Sequence, residues 1–375
     1  MMTHTVNTLS PEVRDMLVDS VQKFVDSEYD FESRRSLAAS KLGYSEKHWQ
    51  LFAELGWLAI PFSEDLGGLD GDFSDMADVA ECFGRGLVLE PFFSTLVQSA
   101  NVLKQSHNEA LKTKLIPKII AGELILALAW EEAGSGSNPL SVSSVASRVE
   151  DSYLLSGEKV VVLAGPQAQG FIVSAKLEGE DQLGLFYLPE DTLGVTLENY
   201  RLVDGSQAAT LSFDQVRIGA ANVVSLNAKT TLESSFRSAI FLLCAEALGA
   251  MEKLLRTTAD YTKTRKQFGA PIASFQVLRH LIADMSVILK KTRCLLDHCT
   301  GQLRETGDID EMDVAALKVQ TGRAAQFIGR QAIQIHGGIG MTDELDVGHY
   351  VKRLTVIDGL LGNGRFHLQK ITSAL

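Results

Sequence analysis

The apolar residues of this chain change their period twice, and that change restricts the fold more than any other feature. Early on they recur at three- and four-residue spacing, as in Val13, Leu17, Val21 and Phe24, which marks one face of a helix. Near Ile125 the pattern gives way to short β-branched runs parted by turn residues: Val145–Val149, Tyr153–Gly157, Lys159–Leu163, Phe171–Val173, Leu183–Leu188, Val195–Leu197 and Ala209–Val216. From Leu232 the helical spacing returns. Ile240, Leu243, Ala247, Met251 and Leu254 mark one helix face, Val277, Leu281 and Ile288 a second, and Val314, Leu317, Thr321, Ala324 and Ile328 a third. The pattern predicts an α+β, mainly α chain in three parts: a helical domain over 1–121, a small antiparallel, barrel-like β domain over 122–226, and a four-helix bundle over 227–375. At 375 residues the chain is longer than one core usually grows, about 250–300 residues.

Local signals sharpen the helical parts. Ser10-Pro11-Glu12 is a start signal, with Ser10 as N-cap and Pro11 at the first helical position. Helices are also predicted over His48–Leu55 and Asp75–Gly84, and Glu305–Asp313 reads as an exposed inter-helix loop. Lys+Arg number 35 against Asp+Glu 47, a formal charge of −12 with no basic cluster, which disfavours nucleic-acid binding. No apolar run reaches the ~18–20 residues that span a bilayer, and the polar start Met1–Ser10 has no signal core, so a cytosolic protein is expected. Cys82, Cys244, Cys294 and Cys299 lack metal-ligand spacing and are expected as small, at least half-buried hydrophobes; no metal site is expected.

Three turns carry candidate chemistry. The stretch TRKQFGAPIASFQ, Thr264–Gln276, reads as a helix end, a tight turn and a new helix. In it Arg265 offers a planar fork suited to two phosphate oxygens, and Gly269 and Pro271 shape the turn. Arg265 beside Phe268 also fits an ordinary surface arginine. A second glycine turn, Gln334-Ile335-His336-Gly337-Gly338-Ile339-Gly340, closes a later helix, and a third, Glu131–Asn138, opens the β part.

The pair R-x-x-F-G-x-x-I-x-x-F-Q and Q-x-H-G-G-x-G, in this order and helical context, resembles the acyl-CoA dehydrogenase family, nearest its pimeloyl-CoA dehydrogenase small-subunit type. E-L-G-W-L-A-I-P, ending at Pro61, resembles the family's N-terminal helical domain. The resemblance implies FAD as cofactor, an acyl-CoA substrate, an electron-transfer flavoprotein-like acceptor, and a homo- or hetero-oligomer. It places Gly136 and Ser137 against flavin ring and pyrophosphate, with Arg265 and Phe268 at the pyrophosphate of a facing subunit's flavin. Gln276 then falls at the adenosine part and Gln334, Gly337 and Gly338 near adenine and ribose. Taken alone, Gln276 also fits a helix-surface amide; His336 is assigned no catalytic part.

The implied reaction is α,β-desaturation: a carboxylate removes the α proton of the thioester while the β hydrogen leaves as hydride. At the family's two base positions this chain has Leu361 and Ala239, and at the tryptophan and hydroxyl beside the flavin it has Val161 and Leu163. Asp358, three residues before Leu361, and Glu246, two turns beyond Ala239, are the candidate replacement bases. Capping and bundle pairing are their blander roles. Three readings follow: an acyl-CoA dehydrogenase with a nonstandard carboxylate, a flavin-binding subunit whose partner supplies the base, or a flavin oxidase or monooxygenase on the same scaffold.

Overall fold

The computed structural model describes residues 8–374; Met1–Asn7, most of the polar opening, lie outside that range. Six helices come first: α1 (Pro11–Glu28), α2 (Phe31–Ala39), α3 (Glu46–Glu54), α4 (Phe73–Gly86), α5 (Asn101–Lys104) and α6 (Glu109–Ile120). The Ser10 hydroxyl accepts the Val13 N–H at the start of α1, with Pro11 first in the helix. Val13 itself is exposed, and the buried face is Leu17, Val21, Phe24 and Val25. Helix α4 starts earlier than the expected Asp75 because Asp72 and Asp75 form a reciprocal capping box. Between α4 and α5 the stretch Phe93–Ala100 is π-helical.

Eight strands follow: β1 (Leu126–Ala129), β2 (Val145–Val149), β3 (Ser152–Leu163), β4 (Gly170–Leu177), β5 (Leu183–Pro189), β6 (Val195–Arg201), β7 (Gln207–Gly219) and β8 (Val223–Ser225). They form one sheet in the order β6-β7-β3-β2-β4-β5-β8, with β1 also on β4. The expected antiparallel barrel is corrected on two counts. Strands β1 and β2 both run parallel to β4, and among the described residues the end strands β6 and β8 do not pair with each other, so the sheet is mixed and open. The long Trp130–Ser144 connection lets β1 and β2 run in the same direction, which a tight hairpin cannot do. The two runs expected around Gly157 are one strand, β3, with irregular register on either side of Glu158.

The chain ends in α7 (Lys229–Thr264), α8 (Gln276–Thr306), α9 (Glu311–His336), α10 (Asp346–Gly359) and a short α11 (Gly364–Ala374). The expected stripes of α7 and α9 are buried. That of α8 is not: Val277 is 65 % exposed, and the buried line is Met285, Leu289, Leu296, Cys299 and Leu303. Helix α8 runs to Thr306 and Asp310 caps α9, so the expected loop shrinks to Gly307–Asp310, with Ile309 buried. Cys294 is exposed, against expectation; the other three cysteines are buried.

Helices α4 and α7 cross backbone to backbone. A Cβ on Gly84 would collide with the Glu246 carbonyl, and one on Gly249 with that of Glu81. This contact and the ion pairs of Arg293 with Glu81 and Glu252 lock the first helices to the last ones. Among the described residues no helix is long and apolar enough to cross a membrane, and no group of His, Cys, Asp or Glu could hold a metal ion.

Candidate active site

The Arg265 stretch folds as a two-residue hairpin. Lys266–Gln267 pairs with Ala270–Pro271, and Phe268 (φ 53°) and Gly269 (φ 80°) form a left-handed tip. The Phe268 ring is 94 % exposed and meets Phe275 edge-on at 6.0 Å. Arg265 is exposed and makes no ion pair among the described residues. Gln276, first in α8, is exposed, its amide nitrogen 3.5 Å from His280 Nε2.

Gln334, Gly337 and Gly338 stand exposed where α9 ends. His336 between them is buried. Its Nδ1–H donates to the Ala332 carbonyl (2.9 Å), and its ring stacks on Tyr261 at 4.3 Å, in the last turn of α7. That stack brings the two turns to one end of the bundle and gives His336 a structural part. A Cβ on Gly269, Gly337 or Gly338 would meet no atom within 4 Å, so both turns are open to a bulky ligand.

The third turn borders a cavity of about 390 Å³. Ser137–Leu140 forms one wall, the Glu233, Phe236, Arg237 and Ile240 stripe of α7 another, and Leu361, Phe366 and His367 the inner end. Gly134, Gly136 and Ser137 are left-handed at φ 90°, 62° and 65°. A Cβ on either glycine would meet nothing within 4 Å, and the buried Ser135 hydroxyl has no partner among the described residues. The open glycines and orphaned hydroxyl of this turn fit a hydrogen-bonding ligand, and the exposed arginine fork at the bundle end fits phosphate oxygens.

No carboxylate stands at the inner end among the described residues. Leu361 is 3 % exposed and left-handed (φ 58°). Its carbonyl accepts from His367 Nε2–H at 2.9 Å, and the buried Lys318 ammonium donates to the carbonyls of Ile357 (2.5 Å) and Leu360 (2.9 Å). Burial pushes the His367 imidazole down to about 4, and its Nδ1 has no partner among the described residues. Ala239 is buried beside Ile240 but does not line the cavity. Val161, left-handed at φ 50°, occupies the β3 irregularity and donates its N–H to the Tyr200 hydroxyl, while Leu163 uses its carbonyl to accept from Ser94. A β-branched residue in this conformation is rare.

Neither candidate replacement base reaches this cavity. Helix α10 ends at Gly359, so Asp358 and Leu361 do not share a helical face. Asp358 lines a separate groove between α9 and α10, with Oδ2 accepting from Gln326 and Oδ1 buried without a partner. Glu246 is held bidentate by Arg353 (2.6 and 2.9 Å), which also reaches Asp204 (2.9 Å). The carboxylates that do line the cavity, Glu233 and Glu311, sequence reasoning missed. Glu233 falls at helical spacing with Phe236, Arg237 and Ile240, a signal available from the sequence. Glu311 pairs with Lys370 at 2.6 Å.

The N-terminal, middle and C-terminal domains of acyl-CoA dehydrogenases match residues 11–123, 127–216 and 230–375 in turn. The chain belongs to the acyl-CoA dehydrogenase family. As such it is a flavoprotein oxidoreductase acting on acyl-CoA, and FAD is its cofactor. It is similar to acyl-CoA dehydrogenase IpdE2 of Mycolicibacterium smegmatis, 27 % identical over 362 residues, or 96 % of this chain and 98 % of that one. In fold it is similar to the ChsE4-ChsE5 complex from Mycobacterium tuberculosis, with TM-score 0.88, 23 % identity and 97 % of each chain covered. It is likewise similar to a variant of the Tcur3481-Tcur3483 steroid ACAD, with TM-score 0.87, 26 % identity, and 96 % of this chain and 97 % of that one covered.

Proposed function

We propose that this chain is the flavin-binding, base-lacking component of a mixed acyl-CoA dehydrogenase, and that a homologous partner supplies the carboxylate that removes the α proton. Leu361 carries the reading: a buried leucine sits at the inner end of the cavity, where α-proton removal needs a carboxylate. The similarity to the Tcur3481-Tcur3483 steroid ACAD and to the ChsE4-ChsE5 complex supports a two-component assembly, as does the resemblance to pimeloyl-type small subunits. FAD, when bound, would supply the hydride acceptor for α,β-desaturation, and an electron-transferring flavoprotein-like protein would be the electron acceptor. Gly136 and Ser137 meet the flavin on one side of the site. Arg265, Phe268, Gln276, Gln334, Gly337 and Gly338 hold the pyrophosphate and adenosine of the facing chain's flavin.

The test is anaerobic bleaching of bound flavin by a panel of acyl-CoAs, with this chain alone and with a homologue bearing an intact Y-E-G segment. Bleaching only in the mixture supports the reading. Equally fast bleaching by the lone chain overturns it in favour of an internal base. Glu233 is the residue for that second reading, because it lines the cavity and no ion pair engages it among the described residues. Loss of the lone chain's bleaching in Glu233→Gln would establish it.

A further inference from the structure

We infer that Glu132 and Lys159 are a positioning pair that sets the shape of the Ala133–Val142 loop bearing Gly136 and Ser137; this rests on reading that loop as a flavin holder. One carboxylate closes the loop at its neck. Glu132 Oε2 accepts from the N–H (2.6 Å) and the hydroxyl of Ser143, and Oε1 from the N–H (3.0 Å) and hydroxyl (2.7 Å) of Ser144. Lys159, in β3 and fully buried, donates to the same Oε1 at 2.6 Å and to the Ser174 hydroxyl of β4 at 3.0 Å. The neck of a compact surface loop is thereby fixed to two strands of the sheet.

Inside the loop there is little to hold it. Its internal bonds are short-range: Ser135 N–H to the Glu132 carbonyl, Asn138 N–H to that of Ser135, Ser141 N–H to that of Asn138, and Leu140 N–H to the Asn138 side chain. Three left-handed residues stand at its tip, and for Ser137 that conformation costs about 1–2 kcal/mol. Such strain persists only where the surroundings impose it. An ion pair this buried adds little net stability, because desolvation offsets most of the attraction. What five donors on one carboxylate do provide is fixed geometry. Burial would raise the Glu132 carboxyl, but the bonds from Lys159, Ser143 and Ser144 hold it at about 2, while burial lowers Lys159 to about 8. Both groups are charged at neutral pH. The pair therefore acts through Gly136, Ser137 and the unpartnered Ser135 hydroxyl without touching the ligand.

The experiment uses the purified mixed complex, with FAD titrated onto its apo form and amide exchange followed by mass spectrometry. Lys159→Met is expected to raise the FAD Kd at least tenfold, with faster exchange confined to residues 133–142. If that variant does not fold, the double variant Ser143→Ala, Ser144→Ala keeps the ion pair and removes two donors; it is expected to raise Kd about threefold. A lower unfolding midpoint with Kd within twofold of the parent would make the pair merely structural and overturn the inference. Unchanged loop exchange would also overturn it. A parent complex that binds no FAD would defeat the flavin reading itself, an outcome separate from normal FAD binding by the variants.

Discussion

The turns at the end of the bundle and the cavity beside the sheet differ in opposite ways. At the end of the bundle, the hairpin of Arg265 and the turn of Gln334–Gly338 are exposed, open and polar, the state of groups kept for a ligand or facing chain. At the cavity's inner end the residue at the expected base position is the buried Leu361, and the other positions where the family resemblance expects groups beside the flavin or a base, Val161, Leu163 and Ala239, are aliphatic and lie off the cavity lining. Yet the backbone there is still built with care. Lys318 and His367 hold the carbonyls of the Leu361 turn, and Tyr200 holds the left-handed Val161. The chain thus pairs open, polar turns of the kind that suits a phosphate-bearing ligand with a buried leucine at the inner end of its cavity.

The sharpest way to break this contrast is to ask whether the cavity reacts. Loss of a positioned base typically lowers a rate ~10² to 10⁴-fold. The lone chain should bleach flavin slower than the mixed complex by that factor, read by stopped-flow absorbance; equal rates would erase the distinction between the two ends. The next test concerns the other end. Arg265→Ala should weaken FAD binding about tenfold or more, as for a lost charge-assisted contact of roughly 1.5–3 kcal/mol. Arg265→Lys should recover only part, because a point charge lacks the fork. Unchanged affinity in both would leave Arg265 an ordinary surface residue.

A third prediction separates the frame of the cavity from its function. Lys318→Met would strand the buried Ile357 carbonyl and the partly buried one of Leu360, and should cost about 2–3 kcal/mol of stability. Urea unfolding should show a lower midpoint at unchanged slope, while FAD affinity governed by Arg265 stays as in the parent. A fall in both would mean that the two ends are mechanically coupled.

What was legible in the sequence follows the range of the interaction. Helix α1, with its Ser10 cap, and the turns at Gly269 and Gly337 are written in neighbouring residues, so spacing and turn chemistry found them. The parallel pairing of β1 with β4 is not, because it joins Leu126 to Gly170 across an intervening hairpin. The Glu132–Lys159 pair is a contact between a loop and a strand, and each residue alone reads as ordinary surface charge. The buried face of α8 differs from the expected one because its first turns are only partly covered: Leu278 and Ile282 pack half-buried against the core while Val277 faces outward. Asp358 was misjudged for a local reason: one extended residue, Leu360, breaks the helix before Leu361 and turns the two side chains apart.

The smallest expected effect is a pH dependence written into the cavity's inner end. Burial lowers His367 from its usual 6.5 to about 4, with the nearby Lys318 and Lys370 ammoniums pushing the same way and the Leu361 carbonyl opposing. The unfolded chain therefore binds a proton between pH 6.5 and 4 that the folded chain refuses, so stability falls as pH drops through that window. From pH 7 to pH 5 the loss should be about 1–2 kcal/mol, because each tenfold difference in proton affinity between the folded and unfolded chain is worth about 1.4 kcal/mol and only part of the window is crossed. His367→Gln keeps a donor for the Leu361 carbonyl and removes the titration, so its unfolding midpoint should change less between those two pH values. An equal pH dependence in parent and variant would show that His367 takes its proton while folded, and the inner end would then be wetter than the burial of Leu361 and His367 implies.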